Sequence, residues 1–362
     1  MLAIFYHVIF PYHHLSINRY AFIREAFGYF DKINYNRVKE RMTNMKENFS
    51  FQSHSENTRI QGYKWVPTDK KPKLIVQLIH GMAEYAERYE PFAQFLTENH
   101  MALYAHDHLG HGRSVNSMDE LGFFHERKAK EILIEDAHLV TKHVKHDYPE
   151  IPVVVLGHSM GSFVLRNYLK KYSTEIDGAI IMGTAGYKSE LGVGLKLAQL
   201  LARLFPKKRN KQLDDLAFGS FSDYFSDHYS SFDWLSKNQE NVKKYLQDDY
   251  TGFIFTNNGF HTLFDLMNDA TQTDWAKTLH PDLSVLVISG EQDPVGDFGK
   301  GPRSVAKELS HAGIKDVTLH LYANLRHEIL NEKENQMVMD DIYEWLYVRF
   351  LNHTHHEHHH HA

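Results

Sequence analysis

Ser159 stands in the run Gly157-His158-Ser159-Met160-Gly161, after the β-branched residues Ile151, Val153, Val154 and Val155 and before the apolar-periodic residues 163–169. The order reads strand, tight turn, helix, which is the G-x-S-x-G nucleophile arrangement. A sharp strand-to-helix turn leaves no room for a Cβ at either glycine. It lifts the serine hydroxyl clear of the sheet, with the helix amides pointing back at it. A serine nucleophile needs a base and an orienter for that base. Asp293, in Gly290-Glu291-Gln292-Asp293-Pro294, and His327, in Asn324-Leu325-Arg326-His327-Glu328, follow Ser159 in the chain order Ser, Asp, His. Each comes just after a segment with strand character, so all three are expected at the carboxyl edge of one parallel sheet. Asp297, four residues later, is the weaker candidate orienter.

Acyl transfer also needs two N–H groups aimed at the developing oxyanion. Met160, directly after the serine, supplies one. Met82, in His80-Gly81-Met82-Ala83-Glu84 after the strand-like residues 74–79, supplies the other, with His80 tying down the loop. The cluster His106-Asp107-His108-Leu109-Gly110-His111 is rich in ligand types, but the metallohydrolase pattern H-x-H-x-D-H would need an aspartate at Gly110. No metal is expected, and the reaction asks for no cofactor. Asp107 is expected to accept from backbone amides at a strand end, and His158 to pack the turn.

The elements that must hold these residues alternate. Residues 59–66, 74–79, 101–105, 179–182, 284–289 and 317–322 read as strands. Residues 86–99, 127–146, 302–312 and 334–350 read as helices. This rhythm implies right-handed crossovers and a mostly parallel sheet covered by helices on both faces. Five segments are expected: an N-terminal extension (1–45), a first core part (46–186), a helical cap insertion over the carboxyl ends of the strands (187–276), a second core part (277–351) and a His-rich, tag-like tail (352–362). In the extension, Tyr20, Ile23, Phe27 and Phe30 have helical spacing, and activity is expected not to need it. The opening ten residues make a poor secretory signal.

Several motifs together carry a family resemblance: His80-Gly81 with Glu84, Arg88 and Tyr89; Asp107-His108-Leu109-Gly110-His111-Gly112-Arg113-Ser114; Gly157 to Gly161; Asp293-Pro294; and Arg326-His327-Glu328. From about Phe49 to Phe350 the chain resembles the α/β-hydrolases of the monoacylglycerol lipase and lysophospholipase L2-like group. The resemblance implies the α/β-hydrolase fold, a Ser159–Asp293–His327 triad, an oxyanion hole at Met82 and Met160, and Glu84 and Arg88 lining the polar, glycerol-binding end of the site. Ala83 stands where many relatives carry glycine. The implied activity is release of a fatty acid from a monoacyl lipid, either a monoacylglycerol or a lysophospholipid. The alternatives are an esterase or thioesterase for another acyl donor, or a non-catalytic ligand-binding protein on the same fold.

Composition narrows the partners. A net charge of -6 gives no basic footprint, so nucleic acid is not expected. With no cysteine, disulfides and thiolate metal sites are excluded, and the expected location is cytoplasmic. Within the insertion, Leu197, Leu200, Leu201, Leu204 and Phe205 form a stripe followed by Lys207, Lys208, Arg209 and Lys211. Such a helix either packs on the core beside a solvated basic loop or dips into an anionic bilayer surface.

Overall fold

A computed structural model describes residues 45–352. The helix expected through Tyr20 to Phe30 and the tail beyond Asn352 lie outside the described residues. The strands are β1 (Lys46–Gln52), β2 (Arg59–Trp65), β3 (Ile75–Ile79), β4 (Ala102–His106), β5 (Val153–His158), β6 (Gly178–Met182), β7 (Ser284–Gly290) and β8 (Asp316–Tyr322). They form one sheet in the order β1-β2-β4-β3-β5-β6-β7-β8. Pairing is parallel from β4 through β8, and antiparallel only where β2 meets β1 and β4.

Every residue of β3, β4, β5 and β6 is buried, as strands covered on both faces must be. Because successive side chains alternate faces, these runs supply two cores. Ile75, Ile79, Val153 and Val155 pack with Leu133, Val140 and Val144 of α2 (Ala129–Asp147) and Val164 of α3 (Met160–Tyr172). Val76, Leu78, Val154 and Leu156 pack with Phe92 and Leu96 of α1 (Glu90–Glu98), and with Val338 and Ile342 of a C-terminal helix, Asn335–Leu346.

Strand β1 is the element the sequence pattern did not signal. Only Phe51 of its seven residues is buried, so there is no clear alternation to read; the strand exists through its full register with β2. Residues 187–276 hold four helices, α4 (Leu191–Leu204), α5 (Lys211–Phe218), α6 (Gln239–Gln247) and α7 (Asn257–Ala270), before α8 (Lys300–His311) and the C-terminal α9 (Asn335–Leu346) resume the crossover pattern. Backbone bonds join this segment to loops that follow β3, β4 and β8: Gly252 N to Ala83 O at 3.0 Å, Thr256 N to Gly122 O at 3.2 Å, and Glu328 N to Leu235 O at 2.8 Å. Among the described residues, no helix is long and apolar enough to cross a membrane.

Candidate active site

The turn after β5 is strained at Ser159, with φ 56° and ψ -121°, a conformation that typically costs about 1–3 kcal/mol. Its neighbours hold it there. Ser159 N donates to Met182 O at 3.0 Å. A Cβ on Gly157 would lie 2.3 Å from Gly161 O, and one on Gly161 only 2.1 Å from Ile79 O, so both positions exclude any side chain.

His327 and Asp293 meet from the loops after β8 and β7. The His327 Nδ1 to Asp293 Oδ2 distance is 2.8 Å, with Asp293 fully buried and His327 3% exposed. Val295 N donates to the other Asp293 oxygen at 2.9 Å. A carboxylate there holds the proton on Nδ1 and leaves Nε2 free to accept one. Asp297 lies on the exposed side of the loop, 3.9 Å from Lys300. The His158 ring sits 4.7 Å from the His327 ring, and its Nε2–H donates to the His327 carbonyl at 3.1 Å. A Cβ on Gly183, next to Met182, would come within 3.4 Å of the His327 ring, which brings the imidazole to the end of β6 beside the Ser159 turn.

The loop after β3 closes the other side. A Cβ on Gly81 would lie 3.1 Å from Ser159 Cβ, and neither the Met82 nor the Met160 amide hydrogen-bonds to an acceptor among the described residues. Histidines build this loop. His80 Nε2 accepts from His108 N at 3.0 Å, so its Nδ1–H donates to Gly81 O at 2.7 Å. His108 Nε2–H donates to His80 O at 2.8 Å. His111 Nε2 accepts from Ala83 N at 3.1 Å, pinning Ala83 at a left-handed φ of 52°. Burial pulls His108 down to about 4 and His111 to about 3, and both stay neutral. Asp107 accepts from Ala86 N and Arg113 N, each at 2.9 Å, and burial raises its carboxyl to about 6.

Glu84 and Arg88 lie beside this loop, bonded to protein partners. Glu84 Oε2 accepts from Gly81 N at 2.7 Å and from the Tyr89 hydroxyl at 2.8 Å. Arg88 bridges Glu84 at 2.8 Å and grips Glu328 through two nitrogens at 2.9 and 3.0 Å. Burial opposes the Glu84 charge, but the hydrogen bond with His158 and the charge of Arg88 outweigh it and hold its carboxyl at about 2. Sequence reasoning did not assign roles to Glu328, Asn241 or Trp234. Asn241 of α6 donates to Glu328 at 2.9 Å, and the Trp234 ring lies 5.1 Å from His327. Asn241 and Trp234 depend on how the insertion folds back and no local motif marks them, whereas Glu328 stands in the Arg326-His327-Glu328 motif and only its pairing with Arg88 was hidden.

In sequence and fold the chain is similar to known hydrolases. A monoacylglycerol lipase of Mycolicibacterium smegmatis is 30% identical over 285 residues, covering 78% of this chain and 90% of that protein. A monoglyceride lipase of Rattus norvegicus is 26% identical over 286 residues, covering 78% and 84%. A carboxyl esterase of Bacillus coagulans, solved with glycerol, superposes with a TM-score of 0.79 at 25% identity over 84% of this chain and 99% of that one. A monoglyceride lipase of Saccharomyces cerevisiae shares the fold at TM-score 0.66 and 19% identity, covering 84% of this chain and 95% of its own. The family model described as serine aminopeptidase, S33 (Hydrolase_4) matches residues 70–334. The chain therefore belongs to that family, as an α/β-hydrolase similar to the monoacylglycerol lipases.

Proposed function

We propose that the protein is a serine carboxylic-ester hydrolase that releases a fatty acid from a monoacyl lipid through an acyl-enzyme. The observation that carries the reading is the convergence, on a strained Ser159, of the His327–Asp293 pair and the Gly81–Met82 loop. His327 Nε2 takes the Ser159 proton as the hydroxyl attacks the ester carbonyl, and Asp293 stabilises the imidazolium. The Met82 and Met160 amides receive the oxyanion. His327 then protonates the departing alcohol, and water releases the acid by the reverse steps. Glu84 and Arg88 shape the polar end where the glycerol-like group leaves, through their grip on the oxyanion loop.

The substrate class is supported by the named relatives and by the apolar cap. Helix α4 buries Leu191 and Ala198 but leaves Val193, Leu197, Leu200 and Leu204 exposed, at the foot of which stand Lys207 and Lys208. This face collects monoacyl lipid from an anionic bilayer surface, from a cytoplasmic side consistent with a cysteine-free chain. Arg209 belongs to the fold, since its Nη1 donates to Leu121 O at 2.6 Å and to Ile254 O at 2.7 Å.

Fluorophosphonate labelling read by mass spectrometry, with fatty-acid release from 1-monooleoylglycerol and lysophosphatidylcholine, tests the assignment. Labelling should fall on Ser159 alone, and Ser159→Ala should lose both label and turnover. Labelling elsewhere, or turnover surviving in Ser159→Ala, would refute the nucleophile.

A further inference from the structure

Arg166 lies on α3, seven residues after Ser159, with its side chain fully buried. Among the described residues no carboxylate pairs with it. Its Nη1 donates to Thr184 Oγ1 at 3.1 Å and to Ala185 O at 2.7 Å, its Nη2 to Ala270 O at 2.6 Å, and its Nε has no partner. The guanidinium carbon stands 4.6 Å from the centre of the Trp275 ring. Burial lowers its pKa to about 9, so at neutral pH it keeps its charge. Glu308 acts on it by charge without forming an ion pair, and a buried cation held this way is costly, a cost that a well-packed apolar side chain would avoid.

What the cation touches leads to the nucleophile. Thr184 Oγ1 shares a hydrogen bond with Ser162 Oγ at 2.8 Å, and Ser162 Oγ donates to the Ser159 carbonyl at 2.5 Å; Thr184 and Ser162 are fully buried. The two ends set the direction of the chain. A guanidinium only donates and a carbonyl only accepts, so the single Ser162 proton goes to Ser159 and the Thr184 proton goes to Ser162. The carbonyl at the end of this chain belongs to the Ser159–Met160 peptide group, whose N–H is the Met160 amide. Pulling electron density onto that oxygen makes the N–H a better donor, and hydrogen bonds in series polarise one another.

We propose that Arg166, Thr184 and Ser162 form a cation-headed relay that strengthens the Met160 amide as an oxyanion donor. They are positioning residues, and the proposal rests on the Ser159 and Met160 assignment above. The relay acts only where negative charge develops.

Thr184→Val removes the hydroxyl at nearly constant shape, and Thr184→Ser keeps it. The readouts are kcat/KM for p-nitrophenyl octanoate, affinity for an aryl trifluoromethyl ketone, whose serine adduct carries the oxyanion, and affinity for 1-octanol as a non-reacting competitor. In Thr184→Val the first two should fall together, by about two- to fivefold, with octanol binding unchanged. Thr184→Ser should restore both. Ser162→Ala should show the same loss, and combining it with Thr184→Val should add nothing, because both cut one chain. If Thr184→Val fails to fold, Ser162→Ala alone carries the test. Parental rates in the variant that folds, or equal losses for ketone and octanol, would overturn the relay. Ser159→Ala separates the two ideas: if it is inactive while the relay variants keep parental rates, only the relay fails, and if it stays active the underlying assignment fails.

Discussion

Of the two aspartates in the loop after β7, the fold gives His327 to Asp293, and the consequence is a defined imidazole tautomer. Asp293 accepts from Nδ1 at 2.8 Å while its second oxygen takes the Val295 amide. An amide in its place would present an NH₂ or a weaker carbonyl to the ring and favour the wrong tautomer. Asp293→Asn should therefore lower kcat by about 10³- to 10⁴-fold with little change in melting temperature. Asp297→Asn serves as the comparison, because that side chain is exposed beside Lys300 and should keep near-parental turnover. Steady-state kinetics on both variants check the assignment, and a larger loss from Asp297→Asn would reverse it.

Helix α4 illustrates the element scale. Its inner face packs on α7 and buries Leu191 and Ala198, while Leu200 and Leu204 remain 54% and 58% exposed. A stripe of leucines at 3.6-residue spacing reads the same whether one face or both are used, because periodicity reports only that a face exists. The basic run after it divides in the same way: Arg209 ties loops together, and Lys207 and Lys208 lie over the Phe123 and Phe205 rings. Leu200→Asp combined with Leu204→Asp should abolish flotation with anionic liposomes and leave hydrolysis of water-soluble p-nitrophenyl acetate unchanged. Parental flotation in that variant would exclude this face as the membrane contact.

At the scale of the whole molecule, the buried histidines govern how stability responds to acid. His108 and His111 have folded pKa values of about 4 and 3, and burial puts His80 and His106 well below the ordinary value. Below about pH 6.5 the unfolded chain binds protons that the folded protein does not, so stability falls as pH drops through that window. Asp107 and Asp136 oppose this, since burial raises both to about 6 and the folded state then binds the extra proton first. His158 opposes it too: burial lowers its pKa, but the hydrogen bond to Glu84 and the Glu84 charge outweigh that and raise it. The four lowered histidines outweigh these three. Urea titrations should show a net loss of about 3–5 kcal/mol between pH 7 and pH 5. His106 has no hydrogen-bond partner on either ring nitrogen among the described residues. Accordingly His106→Leu should leave stability at pH 7 within about 1 kcal/mol and reduce the loss at pH 5. An unchanged acid limb in that variant would remove His106 from the account.

Much of the site was legible in the chain because its demands are local. The turn that strains Ser159 needs glycine at 157 because a Cβ there would strike Gly161 O within the same turn, and Gly161 in turn yields to Ile79 O of β3. Buried parallel strands need continuous apolar runs, so the strand ends after which Ser159, Asp293 and His327 follow could be read from residue order. Strand β1 escaped because an edge strand with one buried residue carries little pattern. Tertiary structure decided the rest through contacts between residues distant in sequence. It joined Arg88 to Glu328 across 240 positions, set the Trp234 ring of the insertion against His327, and led Arg166 through Thr184 and Ser162 back to the nucleophile's own peptide group. Local propensity constrains one stretch at a time, whereas the partner of a buried charge is set only when the layers close around it.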